Sequence, residues 1–325
     1  MKKSYEMDMC SGPLLSKILI FSIPLMISGI LQLLFNAADI VVVGRFTGSE
    51  AAAVGSTSAL INLIINLFVG ISVGANVVVA RNYGARDYDG VHGAVHTSVL
   101  TALIGGVFLI FVGIALARPL LELMGTPDNV IDQSVLYMRI YFVGMPSFML
   151  YNFGSAILRA IGDTKRPLYF LTLAGVINVF LNLFFVIVFH MGVAGVALAT
   201  IISQTVSAIL VLLCLMKMEG PCHLDFKHLK FHLNQLGQML RIGLPAGLQS
   251  VMYGISNIII QASVNSFGTD TIAAWTAYGK IDGLFWMIMD AFGVTVSTFV
   301  GQNFGAQKYD RMRKSVRVCA GMTLG

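Results

Sequence analysis

Arg81-Asn82-Tyr83-Gly84-Ala85-Arg86-Asp87-Tyr88-Asp89 returns 221 positions later as Gln302-Asn303-Phe304-Gly305-Ala306-Gln307-Lys308-Tyr309-Asp310. Five of the nine pairs are identical, and Tyr83/Phe304 is conservative. The same ungapped shift puts Pro24 on Pro245, Asn36 on Asn257, Phe46 on Phe267 and Ala52-Ala53 on Ala273-Ala274. Solenoid repeats run to roughly 20–50 residues, so a period this long marks a duplicated bundle. In a membrane protein, duplication is a common way to build two lobes around a central path.

The composition places the chain in a membrane. Apolar residues supply 56% and charged residues 11% of its 325 positions, and the mean hydropathy is +0.80. A soluble domain carries about 25% charged residues, so there is too little charge here to cover a wet surface. A net charge of +5 spread over many short loops gives no nucleic-acid footprint. Cys10, Cys214, Cys222 and Cys319 show neither C-x-x-C spacing nor a disulfide framework and read as free thiols. The long apolar stretch behind Lys2 and Lys3 exceeds a signal-peptide core and reads as a first span.

A helical span needs about 20 mostly apolar residues. Eight segments qualify, at 14–44, 52–80, 93–117, 131–157, 167–190, 193–218, 236–267 and 271–300, and a ninth begins near Ser315. With the N-terminus in the cytoplasm, seventeen Lys and Arg fall on the inside, against Arg45 and Arg118 outside. That asymmetry sets the expected orientation. Six spans precede the second copy, so both copies enter from the same side and are parallel repeats. The expected division is a six-helix lobe at 1–218, a cytoplasmic linker at 219–235 and an incomplete second lobe at 236–325. Residue 325 corresponds to position 104 of the first copy, so the chain reads as the front two-thirds of a twelve-helix protein.

Ionisable groups inside a span cost about 2.5–3.5 kcal/mol on insertion scales and usually have a job. Only Asp39, Asp282 and Asp290 sit well inside predicted spans. Gln32, Asn36 and Asp39 share one helical face by their i, i+4, i+7 spacing. Lipid offers that face no hydrogen-bond partner, so it is expected to look inward. A carboxyl in a poorly hydrated cavity can take up a proton from one side and release it to the other; the alternative is a structural carboxyl tying helices together. Asn178 and Asn182, again i, i+4, are candidate partners, and Asn62 and Asn66 read as interhelical glue. Lys280, Asp282 and Asp290 cluster in the eighth span as cavity candidates or as an internal ion pair. Pro24, Pro146 and Pro245 interrupt spans, and Pro24 and Pro245, equivalent under the repeat, are expected hinges. Gly70-x-x-x-Gly74 and Gly243-x-x-x-Gly247 are close-packing signals. His92 and His96, and the linker histidines His223, His228 and His232, fit no metal pattern. There is no phosphate-binding G-x-x-x-x-G-K-[ST] loop, so coupling is expected from an ion gradient, not from ATP.

Three stretches resemble the multidrug and toxic compound extrusion (MATE) transporters: Asn36-Ala-Ala-Asp39 with Val43-Gly44-Arg45, Leu158-Arg159-Ala160-Ile161-Gly162-Asp163-Thr164-Lys165-Arg166-Pro167, and Val300-Gly301-Gln302-Asn303-Phe304-Gly305-Ala306. The resemblance implies an all-α, polytopic, two-lobed bundle with a V-shaped central cavity. It implies export of large, often cationic amphiphiles in exchange for H⁺ or Na⁺, with no other cofactor. It places Asp39 at the family's coupling acid, with Asn36 beside it and Asn178 and Asn182 at the polar pair of the fifth span, where some members carry Asp at the second position. Gln32, Asp282, Asp290 and Lys280 become candidates for the substrate cavity. Sodium-coupled members place a Glu in the seventh span, and no acid lies between Arg241 and Gly268 here. The expected setting is a monomer, multi-pass in a bacterial cytoplasmic membrane, handling small organic cations or amphiphiles. Three other readings stand beside this one. A flippase for lipid-linked saccharides would want several cavity arginines, a receptor needs no second matching lobe, and an inert fragment of an exporter would not transport.

Overall fold

The computed structural model describes residues 5–46, 51–265 and 269–324. It is built of α-helices: α1 Leu14–Phe46, α2 Ala51–Gly84, α3 Tyr88–Leu123, α4 Asp128–Val143, α5 Met145–Ala160, α6 Lys165–Leu183, α7 Gly192–Lys217, α8 Leu233–Asn265, α9 Thr269–Gly305 and α10 Tyr309–Leu324. A π-helical turn, Phe184–Val188, extends α6, and a short 3₁₀ turn, Phe226–His228, lies in the linker. Among the described residues, six helices are long and apolar enough to cross a membrane, within α1, α2, α3, α6 with its π turn, α7 and α9. Phe111 on α3 and Phe180 on α6 point outward, 70% and 75% exposed. Aromatic rings displayed this way suit hydrocarbon, not water.

The segment expected as one span at 131–157 is two helices of 16 residues each. The chain breaks at Gly144, where Pro146 enters the first turn of α5 without an N–H to donate. A side chain on Gly106 of α3 would overlap the backbone of Pro146, so α3 presses close against the break. Helices α4 and α5 both pack against α3 and α7 within the first lobe, α1–α7. Its core holds Phe142, Phe153, Met138, Met145, Met149 and Ile157, all essentially buried.

The duplication is visible in the backbone. Helices α8, α9 and α10 repeat α1, α2 and α3. After α2, Arg86 takes φ 58°, and after α9, Gln307 takes φ 57°. The two turns close with the same hydrogen bonds. Arg86 N–H donates to Tyr83 O at 3.1 Å and Asp87 N–H to Asn82 O at 3.0 Å; Gln307 N–H donates to Phe304 O at 3.0 Å and Lys308 N–H to Asn303 O at 2.8 Å. This pairing is the Schellman helix stop.

The turns also meet each other across a local two-fold. A Cβ on Gly84 would overlap Gln302 O, and a Cβ on Gly305 would overlap Arg81 O. Because 81 falls on 302 and 84 on 305, these are one contact made twice. Elsewhere the seam is asymmetric. Gly70 and Gly74 of α2 lie backbone to backbone against Gly243 and Gly247 of α8. The equivalent crossing of α9 with α1 carries Ala291, Thr295, Ser22 and Met26, which hold the backbones farther apart. That wider side is filled by Phe21 and Phe299, edge to face at 6.2 Å. Buried Asn76 bridges the lobes, donating to Ala156 O at 2.9 Å and accepting from Thr298 Oγ1 at 3.1 Å.

Overpacking a close contact costs about 1–3 kcal/mol. Gly84→Ala and Gly305→Ala are therefore expected to lower the melting temperature in detergent by similar amounts, and Gly74→Val to lower it more. Gly237→Ala has open space around it and should leave the melting temperature unchanged or raise it slightly.

Candidate functional site

Helix α1 meets α6 where α6 is thinnest. A Cβ on Gly175 would strike the Phe35 ring, so that glycine lets the two helices close together. One turn further along α1, Asp39 comes level with Asn182 of α6. Asn182 Nδ2 donates to the Asp39 carboxylate and to Asn178 Oδ1 at 3.2 Å. Asn178 Nδ2 donates in turn to Thr200 Oγ1 of α7 at 3.4 Å, and the Thr200 hydroxyl donates to Val196 O at 3.0 Å. Asn178 and Asn182 are buried, and Asp39 is half-buried.

The result is a hydrogen-bonded chain inside the first lobe in which Asn182 donates to the Asp39 carboxylate on one side and, on the other, heads a run of donors leading away through Asn178 and Thr200 to Val196 O. Tyr137 and Tyr141 of α4 lie within electrostatic reach of Asp39. Tyr141 and Thr200 also line a small crevice with Gly144 and Gln204. Asn182 Oδ1 is buried and has no hydrogen-bond partner among the described residues. An acceptor in that position carries a free-energy cost until a proton donor or a cation reaches it. The Asp39 carboxylate next to the Asn182 side-chain amide suits a proton or a small hard cation. Among the described residues, no cluster of three His, Cys, Asp or Glu has the arrangement of a transition-metal site.

The other candidates fall elsewhere. Gln32 and Asn36 stay on the exposed arc of α1, since the arc facing α6 is Phe35, Asp39 and Val42. Asn62 on α2 is exposed and Asn66 half-buried. Asp282 sits on α9 between two aromatic donors, accepting from Tyr278 OH at 3.2 Å and Trp286 Nε1 at 3.1 Å. Tyr278, Asp282 and Trp286 occupy the repeat positions of Thr57, Ile61 and Ile65, which are buried in the first lobe. Tyr278 and Trp286 themselves are exposed on α9. Asp290 is exposed on the same helix. The side chain of Lys280 lies outside the described residues. Pro24 and Pro245 sit within the continuous helices α1 and α8, and Ser28 Oγ donates to Pro24 O at 2.8 Å one turn on. Arg139 is exposed at the rim of α4.

Three members of the site escape a reading by spacing: Thr200, Tyr137 and Tyr141. The available signal was a threonine on the apolar helix α7 and a tyrosine pair one turn apart on α4.

Comparisons with known proteins agree with this architecture. The MatE family model matches residues 24–184 and 245–325, two stretches that begin one repeat apart. A probable multidrug resistance protein of Bacillus subtilis, YoeA, is 32% identical over 92% of this chain and 66% of its own length. A second, YpnP, is 30% identical over 92% of this chain and 67% of its own. The chain thus spans about two thirds of the length of these curated relatives. A solved outward-facing MATE family transporter superposes with a TM-score of 0.91 at 25% identity, covering 99% of this chain and 72% of that one. On these matches and on its duplicated helical lobes, the chain belongs to the MatE family of multi-pass membrane proteins.

Proposed function

We propose that the protein is a secondary exporter that exchanges H⁺ or Na⁺ for small amphiphilic organic cations, with Asp39 as the coupling group and Asn182 and Asn178 as its partners. The observation that carries this reading is the Asp39–Asn182 contact beside Asn182 Oδ1, a buried acceptor with no partner among the described residues. A group that binds a small cation and is stabilised by doing so is what ion coupling requires. Binding at Asp39 neutralises the carboxylate and changes what Asn182 can donate to, so occupancy bears directly on how α1 sits against α6. A ligand shifts a two-state equilibrium only through such a difference in binding between the states. The curated relatives named as multidrug resistance proteins support export as the activity. Coulomb attraction to the Asp39 carboxylate supports a cationic substrate. The excess of basic loops on one side supports a cytoplasmic N-terminus, and bacterial relatives support the cytoplasmic membrane as its location. Pro24 and Pro245, each removing one helical hydrogen bond, are proposed as the points about which α1 and α8 bend.

A cationic-dye efflux assay in whole cells, with and without Na⁺ and with the proton gradient collapsed, compares the unsubstituted protein with Asp39→Asn at equal membrane levels. Gradient-dependent export by the former, falling at least about tenfold in the latter, is expected for loss of an essential coupling group. Equal export by both contradicts the role of Asp39, and export by neither contradicts the exporter reading of this chain. Orientation is checked separately. An epitope tag at the N-terminus should bind antibody only after the membrane is permeabilised, and binding on intact cells reverses the topology.

A further inference from the structure

Two stretches of chain outside the membrane helices cross between the lobes in opposite directions. Residues 7–11 lead into α1 of the first lobe; Met7 N–H donates to Ile161 O of that lobe at 3.1 Å, but residues 9–11 are bound by the second. Met9 is fully buried. Its N–H donates to Gln302 Oε1 at 3.1 Å, and its carbonyl accepts from Asn303 Nδ2 at 3.2 Å and Arg311 Nε at 2.9 Å. The Cys10 carbonyl accepts from Lys308 Nζ at 2.9 Å, and the Ser11 carbonyl from the Arg311 guanidinium at 2.5 Å. Gln302 completes the span by donating Nε2 to Ala160 O of α5 at 2.7 Å.

The linker mirrors this. It leads into α8 of the second lobe but is bound by α3 of the first. His232 N–H donates to Thr97 Oγ1 at 3.1 Å. Asp225 N–H donates to Nε2 of His96 at 3.3 Å, and the fully buried His96 ring is fixed through Nδ1 to His92 O at 2.8 Å. Positions 9 and 11 fall on 230 and 232 under the repeat. The seam asparagines are equivalent too. Asn303 of the second lobe reaches Met9, and Asn82 of the first reaches Gln235 of α8 at 3.3 Å.

We propose that these two lead-in segments form a reciprocal clasp, each lobe gripping the strand that feeds the first helix of the other, and that the clasp must release before the lobes part at this face. Two features fit a grip made to open. Its outer contacts, Lys308 Nζ to the Cys10 carbonyl and the Arg311 guanidinium to the Ser11 carbonyl, lie at an exposed rim, where water competes for the same donors. Asn303 Oδ1 is buried without a partner among the described residues, so the clasped state leaves one polar group unsatisfied. The proposal rests on the exporter reading only for its purpose, because a central path has to open to each side in turn.

The test is a spin-label distance measurement between Tyr88→Cys and Tyr309→Cys, the equivalent and exposed first residues of α3 and α10. The native cysteines are replaced by alanine, and the protein is held in detergent without substrate or gradient. One short distance is expected without further substitution. Arg311→Ala and, separately, Gln302→Ala should add a longer-distance population, while Arg313→Ala, exposed on the same helix, should not. If Arg311→Ala aggregates on gel filtration, Gln302→Ala carries the test. An unchanged distribution in the clasp variants overturns the proposal. A longer population in a protein that exports nothing keeps the clasp and removes the exporter reading.

Discussion

The contact between Asp39 and Asn182 is the constraint on which the candidate site rests. A carboxylate at membrane depth has no water to solvate it, so its partners have to come from the protein. Here the partner is Asn182 on α6, which donates to Asp39 on α1 and also to Asn178, from which the hydrogen bonds run on to Thr200 and Val196 on α7. Helix α1 can bring the acid there because Gly175 leaves room for Phe35. Each link depends on the previous one: the glycine sets the helix approach, the approach sets the hydrogen bond, and the hydrogen bond sets what a small cation would change.

The lobes around that site are joined unequally. Four glycines bring α2 and α8 into backbone contact, whereas α1 and α9 meet through larger side chains around Phe21 and Phe299. Interfaces packed this densely resist gradual deformation and favour discrete arrangements. The glycine crossing suits a fixed seam, and the wider crossing includes the helix that carries Asp39. In the proposed reading, ion occupancy at one end of α1 and the grip on residues 9–11 at the other would act on a single helix.

Much of this frame was legible in the sequence, because duplication preserves the residues that make a turn. Asn82/Asn303 and Gly84/Gly305 recur because the same helix stop and the same close approach are built twice. Pro146 announced an interruption in the fourth span, though not that Gly144 would divide it into α4 and α5. The site was half legible. Spacing puts Gln32, Asn36 and Asp39 on one face, but which arc of α1 touches α6 is decided by Gly175, which lies more than a hundred residues away in the chain. Asp282 falls on buried Ile61 under the repeat, and its hydrogen bonds to Tyr278 and Trp286 follow from i, i+4 spacing on α9. Thr200 and the two tyrosines become members only through tertiary contact, which no local pattern records.

Infrared difference spectroscopy on the purified protein is the most direct test of the central claim, since it reads the carboxyl itself. Switching pH, or adding Na⁺ at constant pH, is expected to change a carboxyl stretching band that is absent from Asp39→Asn and shifted in Asn182→Ala. A difference spectrum that is the same in the unsubstituted protein and in Asp39→Asn would contradict the claim that this group binds the coupling ion.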